Sequence, residues 1–124
     1  MRVPMLKLNK VKTDDVEILT VRGAIDSSTV DSLKKAIRDL KLKRNGRLIV
    51  DCTGLTYINS SGIAVLMYWC KQQAHGGGRF ALVGLQTKIV KAFELLGLGQ
   101  HLPQYHTRED ALAKFKEHWY EPTT

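Results

Sequence analysis

The stretch of sequence that decides the fold runs from Leu48 to Leu66 and reads LIVDCTGLTYINSSGIAVL. Its aliphatic beginning, which follows Arg47 and ends at Asp51, predicts a short strand that is apolar on both faces and therefore central in a sheet. A loop is expected after Asp51. The next helix is predicted over Ile63 to Gln73, so the polar run Asn59-Ser60-Ser61-Gly62 stands where that helix must start.

The second serine of this run, Ser61, is a candidate acceptor for a negatively charged group. The first turn of a helix has unpaired N–H groups and a partial positive charge. A phosphate on Ser61 would therefore be stabilised there by about 0.3–1 kcal/mol. The competing interpretation is that Asn59, Ser60 or Ser61 only caps the helix.

Outward from this stretch, β-rich segments predict three further strand regions. Met5 to Lys10 and Val16 to Val21 form an opening hairpin, with polar residues 12–15 between them. Phe80 to Val83 is a second strand that is apolar on both faces, and Tyr105 lies in a short edge strand. The hairpin supplies an antiparallel strand to an otherwise parallel sheet.

Apolar side chains at steps of three and four residues predict three more helices. The first begins at the capping-box-like pair Ser28 and Asp31 and ends at Asn45-Gly46. Another begins at Thr87 and is closed by Gly97, and the last is capped by residues 107 and 110. Their inward residues are Val30, Leu33, Ile37 and Leu40; Ile89, Val90, Phe93 and Leu96; and Leu112, Phe115 and Trp119.

Length and composition agree with one α/β domain spanning residues 1–124, with a mixed sheet of four or five strands and four helices. The longest apolar run is too short to span a bilayer and the N-terminus has no signal-peptide core, so we expect a cytoplasmic protein without membrane insertion. Cys52 and Cys70 lack metal-ligand spacing, which favours two free thiols and no metal site. We also expect no cofactor.

The helix after the serines is apolar on two sides. Its core side carries Ile63, Leu66, Met67, Cys70 and Ala74. Val65, Tyr68 and Trp69 project from the other side, where either a neighbouring helix covers them or they stay exposed beside Ser61. If exposed, they form a patch that binds a partner or a second copy in a homodimer.

Basic residues concentrate on the first helix and the segment after it. The chain has 19 Lys and Arg against 12 Asp and Glu, a net charge of +7. No aromatic residues interleave the charges and no nucleic-acid motif is present, so we interpret this as a solvated basic face without direct nucleic-acid binding. The residues concerned are Lys34, Arg38 and Lys41, with Lys35, Lys43, Arg44 and Arg47 close by.

Several of these segments together resemble the STAS domains of bacterial anti-sigma factor antagonists. They are the hairpin, Gly23 to Asp26, Leu48 to Asp51, the run Asn59 to Gly62, the glycine-rich break after His75 and the segment Ala92 to Leu98. In that family the serine run usually reads Asp-Ser-Ser-Gly or Asp-Ser-Thr/Ala-Gly. This chain has Asn59 at the position of the aspartate, which keeps the capping ability without the negative charge.

The resemblance implies a non-catalytic protein that works by partner switching. The unmodified domain would bind an anti-sigma factor serine kinase and release a sigma factor, and phosphorylation of Ser61 would end that binding. A PP2C-type phosphatase would reset the site. Around Ser61 the residues expected to meet the partner are Asp26, Asn59, Ser60, Gly62, Val65, Tyr68 and Trp69, although Asp26 after Gly23 also fits a turn-stabilising role.

Two other functions are compatible with the same residues. One is a STAS domain that is never phosphorylated and acts as a scaffold, or as the regulatory subunit of a transporter or signalling assembly; the neutral Asn59 favours it. The other is a small enzyme or nucleotide-binding domain that uses the helix N-terminus as an anion site. The second lacks a general base at recognisable spacing, so we expect no enzymatic activity.

Overall fold

The computed structural model describes residues 6–119, with side chains up to residue 117. Met5 and the side chain of Trp119, both part of the expectations above, lie outside this description. Five strands and four helices form within it, which confirms the mixed α/β fold. Their bounds are β1 Lys7–Thr13, β2 Val16–Ile25, α1 Val30–Asp39, β3 Arg47–Ile58, α2 Ser60–His75, β4 Arg79–Val83, α3 Thr87–Leu95, β5 Gln104–Tyr105 and α4 Arg108–Trp119.

The strands lie in one sheet in the order β1-β2-β3-β4-β5. The predicted hairpin is confirmed, because β1 and β2 are antiparallel and all other neighbouring strands are parallel. Its turn is formed by Asp14 and Asp15, whose φ angles are 49° and 65°. Two successive left-handed residues give a turn whose twist matches that of the two strands, and aspartate tolerates this conformation better than most residues.

The loop expected after Asp51 is wrong, because β3 continues to Ile58. Strand β2 is 10 residues long, and it gives the second half of β3 a partner up to the pair Ile25 and Ile58. Gly54 fits this pairing, since a Cβ atom there would lie 3.0 Å from Cγ of Arg22 on β2. The serine run therefore begins directly at the edge of the sheet.

Helix α1 differs from its prediction at both ends. Ser28 does not cap it; the Ser28 hydroxyl donates to Oδ1 of Asp26 at 2.7 Å, and the N-cap position is Thr29. The helix ends at Asp39, before the expected Asn45-Gly46, because Lys41 adopts φ 50° and turns the chain. The following residue, Leu42, is thereby packed against the core.

Helix α3 buries Ile89 and Phe93 as predicted, but Leu96 is 62% exposed. The helix ends at Leu95, and Gly97 takes φ 72° in the closing turn. The amide of Leu98 then donates to the Phe93 carbonyl at 2.8 Å, so Leu98 packs on the core in place of Leu96.

Apolar side chains pack on both faces of the sheet. Helices α1, α2 and α3 cover one face through a large core that includes Leu33, Leu66 and Phe93. Helix α4 covers the other face, where Phe115 packs with residues of β2, β3 and β4. Cys52 and Cys70 are both free, as expected. No helix between residues 6 and 119 is long and apolar enough to cross a membrane.

Candidate functional site

The serine run forms the first turn of α2, as the sequence predicts. Asn59 is the N-cap: its side-chain Oδ1 accepts the amide hydrogen of Gly62 at 3.0 Å. The Asn59 amide itself donates to the carbonyl of Ile25 at 3.0 Å, which ties the start of α2 to the end of β2. Ser60 and Ser61 follow as the first two helical residues, and both are exposed.

Gly62 explains how this turn fits so closely on the sheet. A Cβ atom at this position would lie 2.5 Å from Cγ2 of Ile25 and 2.8 Å from Cγ1 of Ile58. No larger residue fits without displacing these two side chains, which end the paired strands β2 and β3. Gly62 is one of the residues expected to meet a partner, but it is buried. Its role is therefore to position the serine turn from within the protein.

Ser61 is therefore exposed at a helix N-terminus that is capped and hydrogen-bonded to the end of β2. The first turn of α2 contains no acidic residue, so the partial positive charge of the helix end is not compensated there. A phosphate on Ser61 would face unpaired backbone N–H groups and would not have to displace a neighbouring side chain carboxylate in this turn.

Asp26 lies at the same edge of the sheet, directly after the last residue of β2. Its Oδ1 accepts the Ser28 amide hydrogen at 2.9 Å and the Ser28 hydroxyl hydrogen at 2.7 Å. The hydrogen bonds from Ser28, followed by weaker ones from Thr29, lower the pKa of Asp26 below its ordinary value. The turn-stabilising role is thus confirmed, and contact between Asp26 and a partner stays a prediction.

A groove of about 610 Å³ runs between α1 and α2 and begins at Ser61; we call it the α1–α2 groove. Val65 lines this groove but is only 7% exposed and belongs to the core, so it is not part of an open patch, whereas Tyr68 is 55% exposed. Trp69 is half-buried and packs edge-on against Tyr68, with 5.3 Å between ring centroids. The lining residues are Val30, Lys34, Arg38, Ser61, Ala64, Val65, Tyr68 and Trp69.

Three residues near this site were not assigned to it from the sequence. Lys34 and Arg38 were placed on a solvated basic face, but they line the α1–α2 groove with Ser61. Their spacing from Val30, which is buried against the core, could have indicated this side of α1. Tyr57 is 53% exposed two residues before Asn59, and it was overlooked because β3 was expected to end at Asp51.

Comparison with known proteins identifies the family to which this chain belongs. A model of the STAS domain matches residues 7–111, and the chain belongs to the STAS domain family. BtrV of Bordetella bronchiseptica, which carries the provisional name of an anti-sigma factor antagonist, is 29% identical over 111 residues, covering 90% of this chain and 96% of BtrV.

Two solved structures show the same fold. The crystal structure of an anti-sigma factor antagonist from Mycobacterium paratuberculosis superimposes with a TM-score of 0.79 at 24% identity, covering 90% of this chain and 94% of that one. The Bacillus cell fate determinant SpoIIAA in its phosphorylated form gives a TM-score of 0.63 at 20% identity, covering 88% of this chain and 97% of SpoIIAA.

Proposed function

We propose that this chain is an anti-sigma factor antagonist that works by partner switching. The unphosphorylated form binds an anti-sigma factor serine kinase and thereby releases a sigma factor, and phosphorylation of Ser61 ends the binding. The observation that carries this proposal is the exposed hydroxyl of Ser61 in the capped first turn of α2, beside a groove. The names of BtrV and the Mycobacterium protein, and the phosphorylated SpoIIAA, support it.

A phosphate at this position acts on the interface and leaves the fold intact. It adds about −1.5 to −2 charges and three acceptor oxygens. The helix N-terminus tolerates this charge well, so α2 remains folded. The same charge is intrusive on a surface that packs against another protein, because it must be desolvated there. One modification therefore switches binding, and a PP2C-type phosphatase in the same cell would restore it.

A constitutive scaffold is the second candidate function, and Asn59 is the observation that favours it. The Asn59 side chain caps α2 as an aspartate would, but it presents no carboxylate to a kinase. In this alternative the same surface holds a partner permanently, for instance as the regulatory subunit of a transporter or of a signalling assembly.

The first experiment is intact-mass analysis, with mapping of the modified peptide, on the protein purified from its native host in growth and in stress. A phosphate on Ser61 is expected in one of these conditions. Ser61→Ala and Ser61→Asp are then compared for binding to the anti-sigma serine kinases of the host. Ser61→Asp is expected to lose binding, since it imitates part of the phosphate charge, and Ser61→Ala to keep it.

Ser32→Ala is the control, because Ser32 is an exposed serine on α1 that does not line the groove. It should retain both the phosphate on Ser61 and the binding of the kinase. The complete absence of phosphate in all conditions, together with indifference of the partner to Ser61→Asp, would refute the switch and favour the scaffold.

A further inference from the structure

The α1–α2 groove combines two cations with apolar surfaces. Lys34 and Arg38 come from α1, one helical turn apart, and Tyr68 and Trp69 come from α2. Val30 and Val65 are 8% and 7% exposed, so the groove has a firmly packed apolar part. None of the residues that line it is acidic. A ligand that fits must therefore carry negative charge together with apolar side chains.

Both cations are available to an external carboxylate. Nζ of Lys34 lies 3.9 Å from Oδ1 of Asp31, in a pair whose side chains are 51% and 91% exposed, and such a pair contributes little. Arg38 forms no ion pair with any side chain among residues 6–117. On the same helix, Lys35 is already held by Asp39 at 2.8 Å.

We propose that the α1–α2 groove binds an acidic, partly apolar segment of the partner protein. Carboxylates of the segment pair with Lys34 and Arg38, and an apolar side chain rests against Tyr68 and Trp69. Arginine forks match carboxylates, and aromatic residues commonly anchor interfaces. The inference rests on the proposed function for the identity of the partner, and it adds the chemistry by which the partner is recognised.

This chemistry also gives the switch an electrostatic cause. Ser61 lines the same groove as the two cations. A phosphate on it would add about −1.5 to −2 charges to a site that attracts an acidic segment. This charge would offset most or all of the two positive charges of Lys34 and Arg38, so the attraction for an acidic segment would be lost without any change of fold. Binding of the partner should weaken with added salt as well, because the groove is open to solvent.

The test uses the full chain, labelled with ¹⁵N, and two short synthetic peptides as probes. Both peptides carry the same leucines and phenylalanines, with glutamate at the polar positions of one and lysine in the other. The glutamate peptide is expected to shift the amide resonances of Lys34, Ala64 and Tyr68, and the lysine peptide is not. Lys34→Glu combined with Arg38→Glu should weaken the binding by about tenfold or more, and Ser61→Asp should weaken it too.

The matched control is Lys88→Glu combined with Lys91→Glu, which makes the same change of net charge on exposed residues of α3. It should leave the affinity within about twofold, since neither residue lines the groove and solvent and salt screen exposed charges outside it. Equal losses from both double variants would overturn the proposal, as would shifts spread outside the groove. Resonances of the groove that move on dilution without peptide would also overturn it, because the occupant would then be a second copy. Thermal unfolding shows whether each variant is folded. If the variant with Lys34→Glu and Arg38→Glu does not fold, the variant with Lys34→Gln and Arg38→Gln is used in its place.

The same variants, mixed with the anti-sigma factor serine kinase, distinguish the acidic segment in the groove from the switch at Ser61. A kinase that phosphorylates Ser61 but binds the Lys34 and Arg38 double variant as tightly as the original chain would refute the acidic segment and leave the proposed function standing. Binding of the glutamate peptide in the groove, without any phosphorylation of Ser61, would do the reverse.

Discussion

At the scale of single residues, two neighbours of Ser61 decide its geometry by different means. Asn59 supplies a side-chain acceptor at 3.0 Å to the first turn of α2. Gly62 has no side chain, and this lets the turn pack closely on Ile25 and Ile58. Ser61 itself makes no such structural contribution, and this leaves its hydroxyl free to be modified without loss of the fold.

Asn59 allows a prediction that separates capping from charge. Asn59→Ala should lower the free energy of unfolding by about 0.5–2 kcal/mol, because the Gly62 amide loses its acceptor. Asn59→Asp keeps the acceptor and adds a charge that the helix end favours by about 0.3–1 kcal/mol, so it should be at least as stable as the original. Urea unfolding of the full chain measures both, and an alanine variant of unchanged stability would contradict the capping role.

At the scale of elements, α4 is fastened to the sheet by polar contacts at its first residue. Nε of Arg108 donates to Oδ2 of Asp51 at 2.7 Å, and its Nη2 donates to the Thr20 hydroxyl at 3.0 Å. Thr53 donates its amide and hydroxyl hydrogens to Oδ1 of Asp51 at 3.0 and 2.7 Å. Asp51 thus joins α4 to the middle of β3, and its nearly buried carboxylate is well satisfied.

This arrangement predicts a dependence of stability on pH. Burial by itself raises the pKa of Asp51, but the hydrogen bonds from Thr53 and Arg108 outweigh it, so the pKa is lowered below its ordinary value. A carboxyl group with a lowered pKa in the folded state stabilises the protein above its unfolded pKa, about 3.9, and this contribution is lost as the pH falls through the folded value.

Asp51→Asn should therefore reduce the free energy of unfolding at neutral pH by about 1–3 kcal/mol. The difference from the original chain should narrow as the pH falls below about 4. Denaturant unfolding between neutral and acidic pH measures this, with Asp31→Asn, an exposed carboxylate on α1, as the control. A difference that stays constant over the whole range would show that Asp51 does not act through its charge.

At the scale of the whole molecule, the two faces of the sheet are unequally covered. Three helices share the larger core, and α4 covers the smaller one, in which Phe115 is 1% exposed. The serine turn and the α1–α2 groove both belong to the larger face. The smaller face contributes no residue to the groove, and it packs on strands that also carry the larger core.

Phe115→Ala should cost about 3–5 kcal/mol, because a buried aromatic side chain is replaced by a cavity. Leu96→Ala is the control: Leu96 is 62% exposed, and its truncation should change the unfolding free energy by less than about 0.5 kcal/mol. Hydrogen exchange should locate the loss of protection in α4 and the strands beneath it. A large effect of Leu96→Ala would contradict the exposed position of this side chain.

The sequence by itself determined the order of the elements, the opening hairpin and the start of α2 at the polar run from Asn59 to Gly62. Each depends on signals that act within a turn or two, such as the two aspartates at φ 49° and 65° or the amide acceptor of Asn59. The Asn59 to Gly62 run could therefore be assigned to a helix start from the chain alone. The helix N-terminus made Ser61 a candidate acceptor, and the resemblance to STAS domains implied that it is phosphorylated.

Only the tertiary structure decided how far β3 extends and which residues line the α1–α2 groove together with Ser61. The second half of β3 is a strand because β2 pairs with it. The local sequence around Gly54 does not predict this pairing. Lys34 and Arg38 reach the groove of Ser61 through the packing of α1 beside α2, and Arg108 meets Asp51 across 57 positions of the chain. Contacts between residues this distant depend on how the elements pack, which short-range patterns do not specify.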